Sequence, residues 1–586
     1  MAKEMDMEYM AKARHSLAHV LAAAVGELFG DVKFAIGPAI DNGLYYDFEL
    51  PHVIKEADFE AIEAKMSEII KRELDFVQSS VDNPKEAFAG QPYKLELIAE
   101  LEEKGEEITA YTMGGFVDLC AGPHVGNTKE LRNWGFKVAS VAGAYWRGSS
   151  DNAMLQRVYV HAFPTMKDLK KYHQFLEEAK KRDHRVLGNN LDLFFFDETA
   201  PGMPYWMPKG LKLYNTLLDF SRKTHEARGY QEMSGPQLNN QKLWETSGHW
   251  EHYRENMFLV ELDEAQTYAL KPMNCPNAMI AFARKNRSYK ELPLRFMETS
   301  IIHRKEASGS VHGLLRVQAF RQDDAHNFIT PDQVEEEINN ILNITDYLYG
   351  VFGLEHRAVL STRPLEGYLG DIADWDKAEA QLKHVLDTRY EGDYQLNEGD
   401  GAFYGPKIDI MVKDTLGREW QLCTIQLDFQ LAGKFDIEYT DRDGTRKTPV
   451  VIHRALFGSL ERFIGVIIEH FAAKFPFWLA PVQIGIVPVH SDHEGYGNEI
   501  KAKLEAQGFR VTIDTTDGTM GNKIKSYRHE LVPYVLILGD KERDENLVSF
   551  RNRNGAQVNG VTLDAFIEAC KEMQAKHSID LVDEIE

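Results

Sequence analysis

Residues from about 10 to 29 are rich in Ala and Leu at helical spacing, and KFAIGPAIDNGLYYDFEL then alternates like a strand pair about an Asn42-Gly43 turn. ADFEAIEAKMSEIIKREL has the apolar stripe of an amphipathic helix, and the glycine-rich block MGGFVDLCAGPHVGN precedes a strand-like AMLQRVYVHAF. These elements predict a mixed α+β domain over residues 1–165. A basic helix follows, PTMKDLKKYHQFLEEAKKRDHRVLGNN, and reads as a linker over 166–187. From 188 to 479, long helices such as DQVEEEINNILNITDYLYGVFG mix with strand-like runs such as PLRFMETSIIHRK, LLRVQAFRQDDAHNFIT and EWQLCTIQLDFQ. Several of these runs lack helical crossovers, which predicts a largely antiparallel sheet. Residues 480–586 alternate strand and helix through VQIGIVPV, FRVTIDT and PYVLILG, which predicts a small α/β domain with a mostly parallel sheet.

Composition narrows the function classes. At 586 residues the chain exceeds one hydrophobic core, and its 43% hydrophobic and 27% charged residues are those of a globular protein. Four scattered cysteines, Cys120, Cys275, Cys423 and Cys570, do not make a disulfide framework and point to a reducing compartment. The first fifteen residues lack an apolar h-region and no apolar run has membrane length, so a cytoplasmic protein with no membrane partner is expected. A net charge of −24 excludes indiscriminate coating of nucleic acid, leaving local basic patches as the means of meeting one.

Three arginine-bearing segments lie in the central unit. HEARGYQEMSGPQ sets a basic Gly-Tyr step before Pro236; IIHRKEASGSVHGLLRV holds Arg304 and Glu306 on an apparent strand before a Gly/Ser loop that leads to Arg316; FGSLERFIGVIIEH places Arg462 on a helix. Singly, each also reads as a surface ion pair or a solvated arginine. In this order they resemble the three signature motifs of class II aminoacyl-tRNA synthetases. With KPMNCP, GAFYGPKID, QLDF and IHRALFGSLERFIG in sequence, the chain resembles the threonyl-tRNA synthetase family over essentially its full length.

That resemblance implies a fold and a chemistry. The fold is α+β and multidomain: an editing domain, a linker helix, a catalytic domain on an antiparallel sheet of about seven strands, and an anticodon-binding domain, with a homodimer formed through the first motif. Arg304, Glu306, Arg316 and Arg462 are implied to hold ATP with Mg²⁺ on its phosphates, since guanidinium groups stabilise charge spreading over phosphoryl oxygens. One Zn²⁺ per chain is implied at Cys275, His326 and His453, where it requires a hydroxyl that valine lacks. Met273, Gln322, Asp324, Tyr404, Lys407, Gln421, Gln426 and Ser459 are implied to line the L-threonine and ATP pocket, and tRNA(Thr) is the expected partner.

Serine keeps the hydroxyl and lacks only a methyl, a difference worth about 1–3 kcal/mol, so a second, hydrolytic site is expected. His15 and His19 stand four apart in RHSLAHVLA, on one helical face, and DLCAGPH brings Cys120 and His124. By spacing alone these four also fit a zinc site or packed core histidines. The resemblance assigns them, with Tyr46, Lys94 and Asp118, to hydrolysis of seryl-tRNA. It also matches Glu542 and Arg551 to anticodon-reading positions, with Arg553 beside them. Departures are Asn277-Ala278 for the usual Gly-His, Gln318 where arginine is common, Asp517 for an asparagine, and the expected absence of an amino-terminal ubiquitin-like domain.

Overall fold

The computed structural model describes residues 7–263, 266–307 and 309–585. The chain divides into two compact units, Met1–Glu178 and Ala179–Glu586.

In the first unit the helix Met7–Phe29 buries Leu17, Val20, Leu21 and Val25. It shares its core with the five-stranded sheet in which Gly43–Glu49 and Met154–Phe163 pair antiparallel at the centre. The Asn42-Gly43 turn joins Ala39–Ile40 to Gly43–Glu49 in register, Ile40 opposite Gly43. The amphipathic helix forms over Glu56–Lys71, with the Asp58 carboxylate accepting the Lys55 backbone N–H at its start. A separate three-stranded sheet, Phe76–Ser80, Thr109–Met113 and Phe116–Leu119, carries the glycine-rich block. The basic helix runs Met166–Arg182, and the division between the units falls within it.

The second unit is built on an eight-stranded sheet in the order Gln231–Met233, Leu294–Glu298, Asp324–Ile329, Val450–Ala455, Glu419–Asp428, Lys407–Lys413, Glu355–Ser361, Gln395–Asn397. The inner pairings are antiparallel and the strand at each edge is parallel to its neighbour. Helix Val334–Val351 covers it with Ile338, Ile341, Leu342 and Leu348, the period-3.6 stripe seen in the sequence. The expected strand through Arg304 and Glu306 stops at His303. The Arg304 N–H still donates to the Gln318 carbonyl, after which the chain peels into the Gly/Ser loop.

The carboxy-terminal sheet corrects an expectation. Its order is Val511–Ile513, Ile484–Pro488, Tyr534–Leu538, Leu547–Asn552, Gln557–Thr562, and only the first three strands are parallel. The last two pairings are antiparallel, because a six-residue helix and a tight turn replace the long crossovers that parallel strands need. All four cysteines are free. Among the described residues, no helix is long and apolar enough to cross a membrane.

Candidate functional site

The strand register of the eight-stranded sheet assembles residues that are far apart in sequence. His326 pairs with His453, His453 with Gln426, and Gln426 with Lys407, one row across four neighbouring strands. Side chains at period two share a face, so Asp324 and Asp409 stand on the same side as this row. A β-bulge at the Ile410/Met411 register shift turns Gln421 to that side as well, where its Nε2 donates to Asp409 Oδ1 at 2.6 Å. Thr424 Oγ1 donates to the same oxygen at 2.9 Å, and Lys407 Nζ reaches Asp409 Oδ2 at 2.7 Å and Asp400 at 2.9 Å.

At one end of the row, Cys275 enters from the first turn of helix Cys275–Ala283. Its thiol and one ring nitrogen each from His326 and His453 all lie within 4.8 Å of one another, and all three residues are buried. Burial pushes the thiol pKa up and the His326 pKa well down. His453 Nε2 is engaged by Asp428 Oδ2 at 2.8 Å, which leaves Nδ1 as the nitrogen open to a ligand. Asp324 accepts from Asn274 Nδ2 at 3.0 Å, and burial raises its pKa. Tyr404 packs 5.0 Å from the His453 ring and its hydroxyl donates to Gln426. His249 Nε2, 3.7 Å from Cys275 Sγ and 3.1 Å from Met273 Sδ, joins this cluster without having been expected. Asp428 lies inside the QLDF segment, but no sequence signal marks it, since its role as partner of His453 depends on register.

The arginines gather beside this row. Arg304 Nε donates to the Pro272 carbonyl at 3.0 Å, and its guanidinium lies over the Phe320 ring. Arg462 follows the cap Ser459 on helix Leu460–His470, and its Nε donates to the Leu315 carbonyl at 2.8 Å. Burial first, then the neighbouring charges of Arg316 and Arg304, lower the Arg462 pKa, the pattern of a cationic recess. Glu306 and Arg316 pair with each other at 2.8 Å. Gln322 bridges to Ser459. Two departures have local partners: Asn277 Nδ2 donates to the Pro236 carbonyl at 3.3 Å, and Gln318 Nε2 to the Pro201 carbonyl at 2.8 Å.

Beneath the cysteine loop, Lys271 and Glu298 form a fully buried pair at 2.6 Å, and the Glu298 carboxylate also accepts the Gly235 N–H at 2.7 Å. Removing one member strands a charge in the interior. Lys271→Ala is expected to lower unfolding stability by about 3–5 kcal/mol, read by denaturant titration of the full chain.

A second cluster lies in the first unit. His15, His19, Cys120 and His124 bring one ligand atom each within 4.8 Å of one another. Cys120 Sγ is 3.3 Å from His124 Nε2 and 3.5 Å from His15 Nε2, and it accepts the Gly122 N–H at 3.2 Å. Gly122 is required there: its φ is +79°, and a Cβ would lie 2.5 Å from the Tyr111 hydroxyl. Asp118 anchors the floor, accepting from Tyr46 at 2.7 Å and pairing with buried Lys94 at 2.5 Å, with His19 Nε2 at 3.5 Å. Burial lowers the pKa of His15 and His19, takes His124 down to about 2, and pushes Cys120 up to about 11. The histidines are therefore neutral and Cys120 is a thiol near neutral pH. A third group, Asp183, His184 and Glu469, is structural: His184 Nδ1 meets Glu469 at 2.7 Å and Nε2 accepts the Leu314 N–H at 3.0 Å, so no ring nitrogen is spare.

In the carboxy-terminal domain the expected pair behaves differently from its sequence reading. Glu542 caps its own helix through the Gly539 N–H at 3.0 Å and accepts from Ser549 at 2.6 Å. Arg551 is exposed and held by Gln557 at 2.6 Å. Arg553 turns inward to the Leu531 carbonyl at 3.2 Å, and burial lowers its pKa to about 10, so it is not the exposed partner expected from its place beside Arg551. Asp517 lies exposed in the loop before helix Met520–His529.

Residues 258–471 match the family described as the tRNA synthetase class II core domain (G, H, P, S and T), and 483–573 match the anticodon binding domain. A largely antiparallel sheet that carries this match, with Arg304, Arg316 and Arg462 close to one another beside it, defines a class II aminoacyl-tRNA synthetase. Residues 108–159 match the threonyl and alanyl tRNA synthetase second additional domain. Threonine--tRNA ligase of Thermotoga petrophila is 47% identical over 575 residues, 97% of this chain and 89% of that protein. That of Caldanaerobacter subterraneus subsp. tengcongensis is 48% identical over 568 residues, 96% and 87%. The crystal structure of the RNA binding domain of threonyl-tRNA synthetase from Cryptosporidium parvum Iowa II is 42% identical, with TM-score 0.65, covering 67% of this chain and 98% of that one. The chain belongs to the threonyl-tRNA synthetase family.

Proposed function

We propose that this chain joins L-threonine to tRNA(Thr) by way of threonyl-adenylate and hydrolyses seryl-tRNA(Thr) formed in error. The observation that carries the reading is the transverse row His326, His453, Gln426, Lys407, closed by Cys275 and flanked by Arg304 and Arg462. In activation a threonine carboxylate oxygen bonds to the α-phosphorus of ATP as the bond to pyrophosphate breaks. Arg304 and Arg462 meet the charge on the phosphoryl oxygens, and Mg²⁺ accompanies the phosphates. Glu306, Arg316 and Ser459 complete the ATP side, while Met273, Gln322, Asp324, Tyr404, Gln421 and Gln426 line the amino acid side. A ribose hydroxyl of the tRNA end then attacks the adenylate carbonyl and AMP leaves.

The donor set of one thiol and two imidazoles, one of them oriented by Asp428, suits zinc, and Cys275, His326 and His453 would hold one ion. When bound, zinc supplies a Lewis-acidic position that favours a substrate with both an amino group and a hydroxyl. Asp324 would orient that hydroxyl.

The second cluster, in a different compact unit, is assigned to editing: His15, His19, Cys120 and His124 around the ester, with Tyr46, Lys94 and Asp118 as its polar floor. The domain plan is editing over 1–165, linker helix over 166–187, catalysis over 188–479 and anticodon reading over 480–586 through Arg551 and Glu542. The protein is assigned to the cytoplasm as a homodimer through the first motif.

Threonine-dependent ATP–pyrophosphate exchange, run against a panel of amino acids, tests the activity. Arg304→Lys keeps the charge but loses the planar fork, and is expected to slow exchange by at least about tenfold, about 1.4 kcal/mol. Unchanged exchange in that variant removes Arg304 from the reaction, and a monomeric active species in sedimentation removes the dimer.

A further inference from the structure

Between His15 and His19 the same helix carries Ser16, fully shielded from solvent. Its Oγ has three neighbours: the Lys12 carbonyl at 2.9 Å, the Val125 N–H at 3.0 Å and His124 Nδ1 at 3.1 Å. A hydroxyl has one proton to give and two lone pairs to offer. The Lys12 carbonyl can only accept, so it takes the hydroxyl proton. The Val125 N–H can only donate, so it takes one lone pair. The remaining lone pair faces His124 Nδ1, and the three contacts are all satisfied only when that nitrogen carries the imidazole proton.

His124 is thereby set in one tautomer, with an unprotonated Nε2 directed at Cys120 Sγ, 3.3 Å away. The ring cannot turn to undo this, since it is stacked on Phe76 at 5.0 Å and 6° and edged by Tyr111 at 4.4 Å. The Gly122 N–H reaches the same sulfur, so the Cys120 proton is free to point at Nε2. We propose that Ser16 is a positioning residue of the hydrolytic site, fixing the tautomer of His124 so that a lone pair rather than an N–H faces Cys120. This rests on the assignment of His15, His19, Cys120 and His124 to seryl-tRNA hydrolysis. No residue spacing in the sequence signals it, because Ser16, Lys12, His124 and Val125 meet only after folding.

The test is a double-mutant cycle on the full chain, with Ser16→Ala, Ser16→Thr and His124→Ala alone and combined, read as kcat and KM for hydrolysis of pre-formed seryl-tRNA. Alanine is smaller and the best helix former, so it leaves the helix intact; threonine charging and thermal melting report folding. One ordinary hydrogen bond biases two tautomers by about tenfold. Ser16→Ala is therefore expected to lower kcat by at least about tenfold with KM within about twofold, and to add nothing in the His124→Ala background. Ser16→Thr, which keeps the hydroxyl in the rotamer that bonds the i−4 carbonyl, is expected to restore most of the rate. Multiplicative losses in the double variant, or wild-type hydrolysis by Ser16→Ala, overturn the role of Ser16. Wild-type hydrolysis by His124→Ala instead overturns the editing assignment on which it rests.

Discussion

Cys275→Ala is expected to leave the purified protein without stoichiometric zinc and to cut threonine-dependent ATP–pyrophosphate exchange by at least about a hundredfold. Among the described residues Cys275 is the only thiol grouped with His326 and His453, and the three sit on separate elements: a helix start and two neighbouring strands. Removing the thiol leaves two imidazoles, one of which is already tied to Asp428. Two neutral donors hold zinc far less firmly than a set with a thiolate, whose negative charge offsets that of the ion. The fold itself should survive, because the strands are fixed by their own ladder and by the core beneath them rather than by the ligands. Elemental analysis of dialysed wild-type and variant protein, together with exchange kinetics, decides the matter. Near-zero zinc in a wild type that activates threonine at full rate would sink the assignment.

The second large effect belongs to the other unit. Changing His15 and His19 together to alanine is expected to lower seryl-tRNA(Thr) hydrolysis by at least about a hundredfold, the usual worth of positioned proton-transfer groups. Threonine activation and charging should be unaffected, and seryl-tRNA(Thr) should accumulate. Burial holds the His15 pKa below the ordinary imidazole value and takes His124 down to about 2, so both gain a proton less readily than a free histidine on mild acidification. Wild-type hydrolysis should then keep its rate as pH falls from about 7.5 to about 6.5. Deacylation of pre-formed seryl-tRNA across that range, with and without a chelator, is the measurement. Loss of activity with the chelator would restore the metal reading of the four residues, and hydrolysis by the double variant at the wild-type rate would take them out of the reaction.

How much of this could be read from the sequence varied with the range of the interaction involved. Helical periodicity located Met7–Phe29, Glu56–Lys71 and Val334–Val351 to within a few residues, because a buried stripe repeats locally along the chain. The Asn42-Gly43 turn was legible for the same reason. His15 and His19 could be paired from their spacing, since four residues make one turn of helix. The parallel character of the carboxy-terminal sheet was overestimated, because strand direction depends on the length of the connection and the last two strands are joined without a crossover. Arg551 and Arg553 look equivalent in sequence, yet one stays in solvent and the other bonds an interior carbonyl.

The sequence by itself determined the order of elements, the arginine segments and the identity of the thiol and imidazole donors. Tertiary structure alone decided which of them meet. Register set His453 opposite both His326 and Gln426, and a single bulge brought Gln421 to the side of Thr424 and Gln426, since one extra residue reverses the alternation of every side chain beyond it. The partners that orient the site, Asp428 for His453 and Ser16 for His124, likewise depend on contacts between segments 25 and 108 residues apart, which no local pattern encodes.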